Sequence, residues 1–163
     1  MWRLAIITIF LLLGCNKEGG KDHSRKLSPE EAKAALNQLV LVEVSGSLVI
    51  TDNRVKISIA DNGDFKLERQ NLNDESRSST GTISPSNYES LKLRLAQVRW
   101  DLVSQDDVRG LDGRMVRLIY ADRAYLVWSP SYDQDVRGLD SLIDILNETY
   151  RLVGLDSFSE LEK

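Results

Sequence analysis

The residues with the most chemical potential are few, and they lie far apart. His23 is the only histidine and Cys15 the only cysteine in 163 residues. A Ser-His-Asp or Cys-His nucleophile would have to rely on that one imidazole, which sits in a polar stretch near the N-terminus. Metal sites built from several His and Cys ligands are excluded on supply. The chain has no Gly-rich phosphate loop, no Ser-x-x-Lys and no Gly-x-Ser-x-Gly. Carboxylates remain: Asp61 and Asp64 flank a turn, Asp106 adjoins Asp107, and Asp133 and Asp135 share a loop. Paired carboxylates can hold calcium or cleave a sugar bond, but the same residues are also ordinary solvated turn formers. The most suggestive stretch is Trp128-Ser129-Pro130-Ser131-Tyr132, two aromatics around a proline at a strand end. Trp, Tyr and Arg dominate binding hot spots, and Arg117 placed over Trp128 would add a cation–π contact. Arg117, Trp128 and Tyr132 are therefore the candidate partner-binding residues. The competing reading is that Trp128 and Trp100 fill core. No catalytic residue, metal ligand or cofactor is expected.

These residues are positioned by elements whose pattern is readable. Ser28-Pro29-Glu30-Glu31 is a helix start: Ser28 caps, Pro29 suits the first helical position and Glu31 closes a capping box. A helix to about Asn37 follows, and then a Val- and Leu-rich strand from Leu39 to Ile50, with Ser45-Gly46-Ser47 as the place where it would break. Val55, Ile57 and Ile59 alternate with Lys56 and Ser58, as Phe65 and Leu67 do with Lys66 and Glu68. A two-residue Asn62-Gly63 turn would put the two apolar sets on opposite faces. A three-residue loop, Asp61-Asn62-Gly63, instead pairs Ile59 with Phe65, Ile57 with Leu67 and Lys56 with Glu68, so one face is consistently buried. That loop is the expectation, with Gly63 left-handed in a bulge.

Residues 71–79 are polar and read as a surface loop, with a short strand over Thr80 to Ile83. Ser84-Pro85 repeats the helix start, and Tyr88, Leu91, Leu95 and Val98 then recur at helical spacing. A polar loop is expected over 104–114. A second hairpin runs from Met115 to Trp128 around Asp122-Arg123, pairing Tyr120 with Tyr125 and Leu118 with Val127, and setting Arg117 across from Trp128. Both of its faces are apolar, which implies a central hairpin or an unusual outer patch. A last helix spans about Gly138 to Val153 with Leu139, Leu142, Ile143, Leu146 and Tyr150 inward, and Gly154 ends it. The fold class is α+β: an antiparallel sheet of two hairpins plus extra strands, with helices packed on one face. Asp-Val-Arg-Gly-Leu-Asp occurs at 107–112 and again at 135–140, which fits chance and a faint duplication equally.

The first residues read as an address. After Met1-Trp2-Arg3 comes an apolar run from Leu4 to Leu13, then Gly14-Cys15-Asn16. A basic start, a short apolar stretch and a small residue are secretory signal chemistry, and the run is too short for the roughly 20 residues that span a bilayer. Leu12-Leu13-Gly14-Cys15 resembles the lipobox of bacterial lipoproteins, with Leu13 bulkier than that pattern prefers. The resemblance covers about the first 15 residues. It implies a diacylglyceryl group on the Cys15 thiol, cleavage between Gly14 and Cys15, and a fatty acyl group such as palmitate on the new terminus. In that family Asp after the cysteine favours the inner membrane, so Asn16 points to the outer membrane, facing the periplasm. The expected organisation is a signal peptide over 1–14, a lipidated flexible tether over 15–27 and a single α+β domain over 28–163. No family is recognised for the mature domain.

Removing the signal takes Arg3 with it, so the formal charge goes from −4 to −5. Nucleic-acid binding wants a basic face, so no nucleic-acid partner is expected. One cysteine cannot form an internal disulfide, and the domain must stand on its core. The function expected is that of a membrane-anchored cell-envelope lipoprotein, held by lipid on Cys15. Its domain would act as a non-enzymatic protein-binding or accessory module for an envelope protein partner. The alternative is an envelope enzyme or ligand binder acting on wall or sugar material through loop carboxylates such as Asp133 and Asp135.

Overall fold

Strand alternation decides which side of each strand is buried, and in this chain all the alternating segments join one sheet. The computed structural model describes residues 24–46, 52–110 and 113–158. Among them are seven strands: β1 (Arg25–Lys26), β2 (Gln38–Ser45), β3 (Arg54–Ala60), β4 (Asp64–Gln70), β5 (Ser76–Thr82), β6 (Met115–Tyr120) and β7 (Arg123–Trp128). They lie in the order β1-β7-β6-β2-β3-β4-β5, with every pairing antiparallel. The described helices are α1 (Pro29–Ala34), α2 (Pro85–Gln97), α3 (Trp100–Gln105), α4 (Gln134–Arg137) and α5 (Asp140–Leu152). This is the expected α+β architecture.

One face of the sheet is apolar. Val40, Val42 and Val44 of β2 stand beside Ile59, Ile57 and Val55 of β3, and Leu118 and Val116 of β6 beside Val42 and Val44. All of them are buried. The helices α2 and α5 close this face through Leu91 and Leu95 on one and Leu142, Ile143, Ile145, Leu146 and Tyr150 on the other. Each such side chain contributes roughly 1.5–3 kcal/mol by leaving water. Trp100 is also a packing residue. Its ring lies 5.1 Å from that of Tyr120 and 4.6 Å from that of Tyr125, and its Nε1 donates to the Leu95 carbonyl at 3.0 Å. On the opposite face α1 covers one end only, where Ala35 and Leu27 meet Leu41, Ile119 and Ala124.

Several local expectations hold. Ser28 and Glu31 form the capping box, with Pro29 in the first turn. The first hairpin has the three-residue loop, pairing Ile59 with Phe65, Ile57 with Leu67 and Lys56 with Glu68, and Gly63 sits at φ +85°. Leu139, Leu142, Ile143, Leu146 and Tyr150 are buried, and Gly154 is left-handed after α5.

Four expectations need correction. The second hairpin turns at Ala121-Asp122, both at positive φ, so Leu118 faces Tyr125 and Arg117 faces Leu126. The expected and observed registers differ by two residues, which keeps the same side chains on the same face. Burial therefore could not choose between them, and the turn did. Polar residues expected in the 71–79 loop belong instead to β5, a full seven-residue strand. It forms because β4 offers it an unbroken ladder, not because it buries anything. The helix α3 occupies residues expected before and inside the 104–114 loop. At the start, Arg25 and Lys26 pair with Ala124 and Arg123, so the end of the segment expected as tether is seated on the domain. Gly14, Cys15 and His23 lie outside the described residues.

Candidate functional site

Among the described residues, nothing covers the second face of the sheet between α1 and β5. Its side chains are the odd members of β2, the even members of β3 to β5, the odd members of β6 and the even members of β7. That row reads Leu126 on β7, Met115 and Arg117 on β6, Glu43 and Ser45 on β2, Arg54 and Lys56 on β3, Glu68 and Gln70 on β4, and Ser76 and Ser78 on β5. Together they line a shallow groove of about 660 Å³. A volume of that size is in the range of ligand sites, although those are usually mostly apolar. From β7 to β5 the surface crosses five strand spacings, roughly 24 Å at about 4.8 Å each.

Charges on this face are arranged as a chain. Glu43 lies between Lys56, at 3.5 Å on one neighbouring strand, and Arg117 on the other. Arg117 also pairs with Glu31 of α1, and Glu31 with Arg25. The hydrogen bond from Arg25, followed by those from the Ser28 backbone and side chain, holds the Glu31 carboxyl far below the ordinary carboxylate range. Lys66 meets Glu68 at 2.7 Å one step further along. The face therefore presents alternating signs, not a field of one sign, and it suits a partner whose own charges are mixed. Exposed pairs of this kind contribute about 0–1 kcal/mol each, so they set pairing and orientation more than stability.

The three candidate binding residues occupy different settings. Arg117 lies on the groove wall, but it stands opposite Leu126 and its guanidinium is committed to Glu31 and Glu43. The expected Arg117–Trp128 contact is thus replaced by ion pairs. Trp128 is half-buried and stands beside Met115. A Cβ on Gly110 or Gly113 would fall within 3 Å of its indole, so the backbone at these two glycines lies directly against the ring. Tyr132 is exposed (56%) and meets Trp128 edge-on, with centroids 5.7 Å apart. The structure brings Trp128 and Tyr132 together at the end of the groove face, and it places Arg117 near the centre.

The loop that carries Trp128 and Tyr132 is held by a residue the sequence did not flag. Arg137 donates to both carboxylate oxygens of Asp106, at 2.9 and 2.7 Å. It also donates to the carbonyls of Trp128, Ser129 and Tyr132 at 2.7–2.8 Å. Both charged side chains are almost fully buried. One guanidinium thereby satisfies three backbone acceptors and fixes the 128–137 turn against the end of α3.

Two of the candidate carboxylates are committed to structure. Asp106 is buried against Arg137. Asp64 accepts from Asn62 at 2.8 Å and from Thr82 at 2.8 Å. Asp133 is left-handed before α4, and Asp135 lies in that helix's first turn. Among the described residues no three His, Cys, Asp or Glu side chains converge as a metal site requires. Sequence reasoning missed Glu43, Lys56 and the hydroxyl row of β5. Glu43 did carry a signal, because a single acid inside Leu-Val-Leu-Val-Glu-Val marks a strand with one open side. No protein-family model matches the chain, and no curated protein matches it either.

Proposed function

We propose that the chain is the precursor of a lipid-anchored protein of the bacterial cell envelope. In this reading Cys15 carries the lipid, and the domain binds another envelope protein on the open face of its sheet without catalysing a reaction. The observation that supports binding is the groove itself. Among the described residues a sheet face about 24 Å across is left uncovered, and it offers the exposed apolar Leu126 at one end of a row of alternating charge. Non-obligate protein interfaces have this mixed character and take about 800 Å² per partner. The lipobox-like Leu12-Leu13-Gly14-Cys15 supports the anchor, and Asn16 supports the outer membrane. Carboxylate catalysis on wall or sugar material has less in its favour, since Asp64 and Asp106 are engaged in structural bonds.

The test is labelling of bacterial cells with palmitate, combined with chemical crosslinking of intact cells. The full chain is expected to take the label, to fractionate with membranes and to yield an adduct containing a second protein. Cys15→Ser is expected to lose the label and the membrane fraction. An unlabelled, soluble parent chain would overturn the anchor. A labelled chain that yields no adduct with another protein would overturn the binding role.

A further inference from the structure

The outermost strand, β5, ends the sheet. Among the described residues no strand pairs with its outer side, and its side chains are exposed from Ser76 to Thr80 and again at Thr82. The hydrogen bonds at its two ends show which backbone groups point away from β4. The Ile83 amide donates to the Gly63 carbonyl at 2.9 Å, and the Asn71 amide donates to the Glu75 carbonyl at 3.1 Å. Both contacts continue the register that runs from Asp64↔Thr82 to Gln70↔Ser76. Backbone polar groups alternate sides along an antiparallel strand. Arg77, Ser79 and Gly81 therefore bond to β4, while Ser76, Ser78, Thr80 and Thr82 hold their N–H and C=O groups outward. Natural edge strands are usually blunted by Pro, bulges or several charges. This one has no Pro, no break in register and a single charge, Arg77.

We propose that β5 pairs with β5 of a second copy of this chain, antiparallel and centred on Ser79, joining two sheets edge to edge. The sequence is self-complementary in that register. It alone gives all four outward residues of each strand a partner inside the other strand: Ser76 with Thr82, and Ser78 with Thr80. Those four pairs make about eight ladder hydrogen bonds, two per hydrogen-bonded pair. The same register sets hydroxyl beside hydroxyl on the open face, a favourable cross-strand combination. On the other face Arg77 falls opposite Gly81. The two Arg77 residues are then four positions apart along the strands, about 14 Å, beyond the roughly 8 Å reach of unscreened charge at physiological salt. Ser76 and Ser78 line the groove, so pairing fuses the two open faces into one surface with the join at its centre. A single strand pair buries far less than the about 1,200–2,000 Å² of a stable interface. The association is therefore weak between free molecules and stronger where copies are concentrated on one surface. The pairing rests on strand geometry and stands whatever the groove binds.

The test is cysteine trapping of the full chain in the cells that make it. At the centre of the pair, residue 79 faces itself across a non-hydrogen-bonded site with Cα atoms about 4.5 Å apart, within disulfide range. Ser79→Cys is expected to give a reducible homodimer when a mild oxidant takes the two thiol hydrogens. Ser76→Cys and Thr82→Cys, each displaced from its own copy by about 20 Å, are expected to give little more than the parent chain. Adding Ser78→Pro to Ser79→Cys removes only an outward N–H, which an edge strand tolerates. That change is expected to abolish the dimer while the domain keeps its protease resistance. Equal trapping at all three positions would overturn the proposal, and so would a dimer insensitive to proline or no dimer at position 79. An adduct at 79 with a different protein would assign the edge to a foreign strand and overturn self-pairing.

Discussion

Two faces of one sheet are built from the same strands and do opposite work. Along β3, Val55, Ile57 and Ile59 are buried under α2 and α5, while Arg54 and Lys56 line the groove on the opposite face. Along β2 the buried Val42 and Val44 flank Glu43. The covered face is a packed core, whose residues respond to the loss of single methylene groups. The open face is a row of ion pairs and hydroxyls, each close to neutral for stability. The fold's stability therefore rests on one side, and the side chains of the other are free of that demand.

Ion pairs show the same division. Asp106–Arg137 is buried, whereas Arg117–Glu43–Lys56 is half-exposed. Arg137→Ala is expected to have the largest effect, about 3–5 kcal/mol, because it strands a buried carboxylate and three carbonyls. Urea unfolding monitored by tryptophan fluorescence measures it. Ile57→Ala on the covered face follows, at about 2–5 kcal/mol for a fully buried residue. The neighbouring Lys56→Ala should stay within about 0.5 kcal/mol. Equal losses at positions 56 and 57 would break the division between the faces. Arg117→Ala lies between these extremes, at about 1 kcal/mol, since its two pairs are only partly shielded from solvent.

The smallest effect concerns pH. The Glu31 carboxyl is held below its ordinary 4.5, chiefly by Arg25 and then by Ser28. A depressed carboxylate stabilises the fold fully above the unfolded value, and that stability fades as pH falls toward the folded one. Stability curves of the parent and Glu31→Gln are thus expected to run apart above about pH 4.5 and to converge in more acidic buffer. Parallel curves through that range would show that Glu31 gives α1 no charge-dependent hold on the sheet.

What the sequence revealed depended on whether alternatives differed in burial. The first hairpin was legible because its two candidate registers put Phe65 and Leu67 on opposite faces, so only one buries both apolar sets. The second was not, because its two registers differ by two residues and bury the same set. There the left-handed Ala121 and Asp122 decide, and neither residue advertises that conformation as Asn-Gly would. The β5 strand carries no apolar side chain, so only its end, from Thr80 on, was marked, and its strand character comes from β4. Glu43 and Arg117 lie 74 residues apart, and Asp106 and Arg137 31 apart. Their pairing follows from strand order and loop packing, which composition does not encode. Arg117, Trp128 and Tyr132 stood out in the sequence as candidates by residue type alone. That Arg117 is committed to two acids and Trp128 is partly covered emerged only from the fold.

The central claim is that the open face, and not the helical side, meets a partner protein. The most direct measurement places a photo-reactive side chain at Leu126 or Lys56 on the open face, and at Leu93 on the exposed side of α2, in full-length chain in living cells. A discrete adduct with one other protein from positions 126 and 56, and none from position 93, is the predicted result. Adducts from position 93 alone, or none from any position in a folded chain, would contradict it.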